Sequence, residues 1–217
     1  FIDEKLESGK TVIASGYGIT GTDAGNYTLM GQPSGMIADI TGKPLTITGV
    51  TAANKVYDGT TDAILSGGTL NGVVGTDVVT FTRGTGSFAD KTVGSAKVVT
   101  ATGYSITGAD AANYTLVAQP SGMTADITKA SLTITGVTAS NKVYDGTVTS
   151  TLSGGALNGV IGSDVVNITV GTGSFADETV GTGKSVTATG YEITGIDAFN
   201  YNLSAQPSGM IADITKA

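Results

Sequence analysis

The sequence predicts an all-β fold made of tandem β-sandwich repeats of immunoglobulin-like size, stacked end to end as an elongated rod. Three observations carry this reading. Apolar and polar residues alternate strictly in Leu45-Thr46-Ile47-Thr48 and in Met123-Thr124-Ala125-Asp126-Ile127-Thr128, the period of a half-buried strand. No ten-residue stretch offers a helical stripe free of glycine, and the 217 residues include 33 glycines. An 87-residue period runs through the chain without insertion or deletion, placing Tyr57 on Tyr144, Asn71 on Asn158, Phe88 on Phe175, Tyr104 on Tyr191 and Met123 on Met210.

That period divides the chain into three parts. Residues 44–130 and 131–217 are complete repeats, identical at 65 of 87 positions. Residues 1–43 match the C-terminal half of a repeat, with Phe1 on Phe88 and "QPSGM" at 32–36, 119–123 and 206–210. A fainter likeness between 58–79 and 93–116 suggests that each repeat is built of two related halves of about 43 residues. Phe1 falls in mid-repeat, so the chain is expected to be an internal piece of a longer protein.

Within the first complete repeat the elements follow in order. The alternation at 45–48 opens a strand over 45–50. Asp58-Gly59, flanked by Val56-Tyr57 and Thr60-Thr61, predicts a type I′ hairpin turn with Tyr57 packed at the sandwich edge. Runs rich in β-branched residues predict strands at 62–66, 77–82, 97–102 and 104–107. "GSFAD" at 86–90 and 173–177 supplies Phe88 and Phe175 as core anchors, with Asp90 and Asp177 capping the turns that follow. "ADAANY" at 109–114 predicts an Asx turn leading into a strand over 113–118, and the alternation at 123–128 closes the repeat. Seven strands fit a sandwich. The junctions "ADITGKPLTITGV" (38–50) and "ADITKASLTITGV" (125–137) hold no flexible Gly/Ser tract, so neighbouring repeats are expected to be held semi-rigidly.

Composition excludes most chemistry. With 11 basic and 18 acidic residues, a net charge of −7 and no Lys/Arg cluster, binding to nucleic acid is not expected. The chain lacks cysteine, histidine and tryptophan, which removes thiolate nucleophiles, imidazole bases and the usual zinc, copper or iron ligand sets. Its longest apolar runs, such as Val73-Val74, are too short for membrane insertion. "GTGSFAD" reads as a β-turn and not as a phosphate-cradling loop. No enzymatic activity is expected.

Three sets of residues remain as candidate sites. Tyr57, Tyr144, Tyr104 and Tyr191 offer aromatic faces to a host or surface glycan, with repetition supplying avidity. Asp110 with Asn113, and Asp197 with Asn200, bring oxygen ligands close enough together to hold calcium, although an Asx turn explains the same residues. Lys55, Lys97 or Lys142, with Asn113 or Asn200 and an acid such as Asp58 or Asp90, supply the residue types of a spontaneous Lys–Asn isopeptide bond.

The marks "KVYDGT", "LSGGxLNGVxGxDVV", "GSFADxTVG" and "NYxLxAQPSGMxADITKA" together resemble the YDG-type tandem repeat of filamentous-haemagglutinin-like exported bacterial adhesins. The resemblance implies a stalk or spacer segment of a large cell-surface or secreted protein that projects a distal binding region. It implies an extracellular location, neighbouring repeats as the principal partners, and no catalytic residues.

Overall fold

The structure, a computed structural model, describes residues 1–217. It is all-β, and its only helical segments are the 3-10 turns Ala24–Asn26, Ala111–Asn113 and Ala198–Asn200. Each begins directly after the aspartate of an Asp-x-x-Asn-Tyr string and ends at the asparagine.

Residues 1–43 contain β1 (Glu7–Val12) and β2 (Met36–Ile40). The next repeat supplies β3 (Lys43–Ala52), β4 (Lys55–Val56), β5 (Asp62–Ala63), β6 (Leu65–Asn71) and β7 (Thr80–Thr82). It continues with β8 (Thr85–Phe88), β9 (Gly94–Thr102), β10 (Ser105–Thr107), β11 (Tyr114–Leu116) and β12 (Met123–Thr128). The last repeat copies this series as β13 (Ala130–Ala139), β14 (Lys142–Val143), β15 (Thr149–Ser150), β16 (Leu152–Asn158) and β17 (Asn167–Thr169). It ends with β18 (Thr172–Phe175), β19 (Gly181–Thr189), β20 (Glu192–Thr194), β21 (Tyr201–Leu203) and β22 (Met210–Thr215). The expected strand at 62–66 is thus two strands, because the chain changes sheets at Ile64: β5 belongs to a five-stranded sheet and β6 to a three-stranded one. The short strands β4 and β8 were not anticipated.

Contacts group the chain into two compact units. The first comprises Phe1–Thr51, Leu65–Gly86 and Ala101–Ser121. It holds the β1–β2 and β7–β10 ribbons and the sheet β11-β3-β6. Leu45, Ile47, Tyr104 and Tyr114 are buried there, and Phe81 stacks on Tyr104 with ring centroids 6.0 Å apart. Among residues 1–43 only Lys10 is buried, its ammonium held by Asp3 and the Lys5 carbonyl. Tyr17 and Tyr104 make the same two-bonded backbone clamp to Gln32 and Gln119, yet Tyr17 is 60% exposed and Tyr104 4%. The clamp is local, whereas burial needs an opposing layer that residues 1–43 do not supply.

The second unit comprises Ala52–Ile64, Ser87–Thr100 and Gly122–Ala217. It holds the five-stranded sheet β4-β12-β9-β8-β5 and the whole last repeat, with sheets β16-β13-β21 and β14-β22-β19-β18-β15 and the ribbon β17–β20. In the last repeat, Phe175, Val186, Ala188, Tyr191, Met210, Ala212 and Ile214 form a core that packs on Ile134, Val137, Leu152, Ile168 and Leu203. These are the inward positions of facing sheets, alternating with exposed polar neighbours. Phe88 and Phe175 are the expected core anchors, each 3% exposed.

The sheets are barrel-like, and the Tyr-Asp-Gly string explains how. β4 and β5 are only a few residues apart but stand at opposite edges of their sheet, as do β14 and β15. Asp58-Gly59 is therefore not a hairpin turn. A type I′ turn needs positive φ at both central residues, and here Gly59 has φ +77 while Asp58 does not have positive φ. Asp58 instead folds an Asx turn, its Oδ1 accepting the Thr60 N–H at 2.9 Å, and the chain crosses from one sheet edge to the other.

Candidate functional site

The crossing aims Tyr57 into the last repeat. β4 pairs in parallel with β12, and the Tyr57 N–H donates to the Thr128 carbonyl at 2.8 Å, which fixes the backbone. The ring is 2% exposed and meets Tyr201 edge-on, centroids 5.4 Å apart and planes at 79°. The Tyr57 hydroxyl donates to Asp164 Oδ2 at 2.8 Å, and the Tyr201 hydroxyl donates to the same oxygen at 2.6 Å. Tyr201 also accepts the Ile161 N–H at 3.0 Å. Around this cluster, Lys91 Nζ lies 3.8 Å from Asp164 Oδ1, and the Val93 N–H donates to Asn200 Oδ1 at 3.1 Å. Residues from two consecutive repeats therefore share one buried polar cluster.

Its electrostatics keep it in a single protonation state. Burial, then the Asp164 carboxylate, raises the Tyr57 phenol above its usual value. The same causes push Tyr201 up to about 12. The Tyr201 hydroxyl bond, aided by Tyr57 and against desolvation, holds Asp164 below the usual carboxylate value. Two phenols that stay protonated and one carboxylate that stays charged form a holding device and offer no group poised to exchange a proton near neutral pH.

The sequence candidates separate on this geometry. Tyr144, in the same heptapeptide as Tyr57, is 44% exposed, whereas Tyr57, Tyr104 and Tyr191 are buried. The exposed faces expected for a glycan are absent at three of the four tyrosines, because these rings fill protein interior. Asp110 and Asp197 each accept a backbone N–H, from Val78 and Val165 at 2.8 Å, and so pin loops. Asn200 is 1% exposed and engaged by Val93, while Asn113 is half-buried; no group of three or more acidic side chains gathers around either to form a cation site. Lys55 is held by Asp58 and Thr60, and Lys142 by Asp145 and Thr147. Neither ammonium is bonded to an asparagine. Each instead bridges its crossing turn and lies over Phe88 or Phe175 at 5.5 and 5.6 Å.

Asp164 and its repeat-mate Asp77 were not among the sequence candidates. Both sit in "GxDVV" beside turn glycines, where a lone acid reads as a turn residue. Their signal lies in pairing: each aspartate accepts a tyrosine hydroxyl 37 residues on, Tyr114 for Asp77 and Tyr201 for Asp164.

Comparison with known protein families matches the YDG domain twice, over residues 41–122 and 128–209. Neither the curated proteins nor the solved structures gave a match.

Proposed function

This chain belongs to the YDG domain family, and on that premise we propose that it is a structural segment of a large bacterial cell-surface or secreted adhesin of the filamentous-haemagglutinin-like class. In this reading the repeats are β-sandwiches stacked end to end as a rod that carries a distal binding region, without catalysis and without a cofactor. The observation that supports it is the Tyr57–Asp164–Tyr201 cluster, which ties the Tyr-Asp-Gly string of one repeat into the next. A spacer must hold its repeats together, and charge-assisted hydrogen bonds, stronger than neutral ones, add to the covalent connection between them. Only about 13% of residues are charged, with net charge −7, so the surface is acidic enough to disfavour lateral association. Solution scattering tests the reading: an elongated particle is expected, and a compact globule overturns it.

A further inference from the structure

In each complete repeat the first two strands pair in parallel with the last two. In the last repeat β13 pairs with β21, Ala130 on Tyr201 and Leu132 on Leu203, and β14 pairs with β22, Lys142 on Ile214 and Val143 on Thr215. In the first complete repeat β3 pairs with β11 and β4 with β12 in the same sense. The remaining pairings of the last repeat are antiparallel. Parallel strands cannot be joined by a hairpin, so these two pairs connect the chain that enters a repeat to the chain that leaves it.

Further hydrogen bonds gather on the same pairs. The Ser204 N–H and the Ser204 hydroxyl both donate to the Leu132 carbonyl, at 2.9 and 3.0 Å. The Tyr144 N–H donates to the Thr215 carbonyl at 2.9 Å, the Thr215 hydroxyl donates to the Lys142 carbonyl at 3.4 Å, and the Asp213 N–H donates to Asn141 Oδ1 at 2.7 Å. The first complete repeat copies this last group: the Tyr57 N–H donates to Thr128, the Thr128 hydroxyl to the Lys55 carbonyl at 3.3 Å, and the Asp126 N–H to Asn54 Oδ1 at 2.7 Å. Asn-Lys-Val-Tyr, the start of the string shared by both repeats, is therefore the stretch laid along the leaving strand.

The direction of a pull decides how these bonds respond. Tension along the chain draws β13 and β14 by their N-terminal ends and β21 and β22 by their C-terminal ends. In a parallel pair those ends lie at opposite tips, so the strands slide past each other and their cross-bonds are stretched together. A pull on the same tip of both strands opens the bonds one after another. Resistance to forced unfolding follows the unfolding rate and not the equilibrium stability, so the geometry of the first bonds to break sets it.

We infer that each complete repeat is a tension-bearing unit, in which the entering strands and the two leaving strands form shear pairs. This deepens the spacer role proposed above and rests on it for the source of the tension. The chain has no cysteine, so one introduced thiol is a unique handle. Single-molecule force measurements on the whole chain, tethered at its C-terminus, provide the test. A thiol at Lys129→Cys, an exposed position between β12 and β13, pulls the last repeat through both shear pairs. A thiol at Val148→Cys, exposed and beyond β14, leaves β13 outside the force path and draws β14 and β22 from the same tip. The unfolding force is expected to be about twofold or more higher from position 129 than from position 148. Asn141→Ala, which removes the exposed bond to Asp213, is expected to lower the force from position 129 and to leave that from position 148 unchanged. Urea midpoints equal to the parent's show that the thiol variants keep the fold. An equal or lower force from position 129, or an Asn141→Ala effect of the same size in both directions, overturns the inference. If that happens while scattering reports an elongated particle, the shear pairs are refuted and the spacer role stands; a compact particle with the higher force from position 129 refutes the spacer role and keeps the shear pairs.

Discussion

Tyr57 and Tyr144 share the heptapeptide Asn-Lys-Val-Tyr-Asp-Gly-Thr, yet one ring is 2% exposed and the other 44%. The difference lies in what faces the string, so the same substitution made at each site isolates the tie. Tyr57→Phe removes one donor from the buried Asp164 carboxylate and is expected to cost about 1.5–3 kcal/mol, the range for hydrogen bonds to charged groups. Tyr144→Phe, on an open surface, is expected to stay within about 0.5 kcal/mol of the parent. Urea midpoints of the two variants check this, and equal effects would refute the tie. The pH dependence follows from the same groups. Tyr201 and Tyr57 are raised above 10.0 in the folded state, so their contribution is complete below pH 10; that of Tyr201 is lost as pH rises toward about 12, and that of Tyr57 at higher pH still. Asp164 is lowered from 3.8, so its contribution is present above that pH and is lost as pH falls through its lowered value. Stability measured between pH 9 and 11.5 is expected to fall, and to fall less steeply in Tyr57→Phe.

The Tyr-Asp-Gly crossing shows what an element's own sequence determines and what it leaves to distant chain. Glycine at the left-handed position was legible as turn chemistry, but the sequence pointed to a type I′ hairpin and to Lys55 as a cross-linking residue, and the Asx bond to Thr60 and the Lys55 bridge emerged only from the structure. The partners of the flanking strands were not legible either. β4 is two residues long and pairs in parallel with a strand some 70 residues on, a choice made by packing that no local alternation records. Core positions with clear alternation, as in β3 and β12, were legible because one face is buried and the other wet. The candidate site was half legible: the tyrosine string stood out, but Asp164 contributes through a contact 107 residues away. The crossing carries its own test. Gly59 and Gly146 both have positive φ, at +77 and +71, so alanine at either position costs about 1–2 kcal/mol of backbone strain. A Cβ at Gly59 would also stand 3.0 Å from Ile161 Cγ2, whereas one at Gly146 meets nothing within 4 Å. Gly59→Ala is therefore expected to lower the thermal midpoint more than Gly146→Ala, and the reverse order would contradict this placement of the crossing.

At the scale of the whole molecule, the period written in the sequence and the grouping of contacts are out of phase. The first complete repeat gives its three-stranded sheet to one compact unit and most of its five-stranded sheet to the other. A repeat whose layers belong to different compact units is not expected to unfold as an isolated bead, because in a repeat array the terms that tie neighbours together contribute to stability beside those within each repeat. Native-state hydrogen exchange reads the cooperative units directly. Amides of β12 and the Gly94–Thr100 part of β9 are expected to open with those of β19 and β22, which share their unit, and not with those of β3 and β6. Tyr57→Ala, which removes the ring from Tyr201 and the hydroxyl from Asp164, is expected to break that concert, so that β12 exchanges at a lower opening free energy while β22 keeps most of its protection. If β12 instead opens with β3 and β6 in the parent chain, the 87-residue period and not the tyrosine tie sets the unit of unfolding.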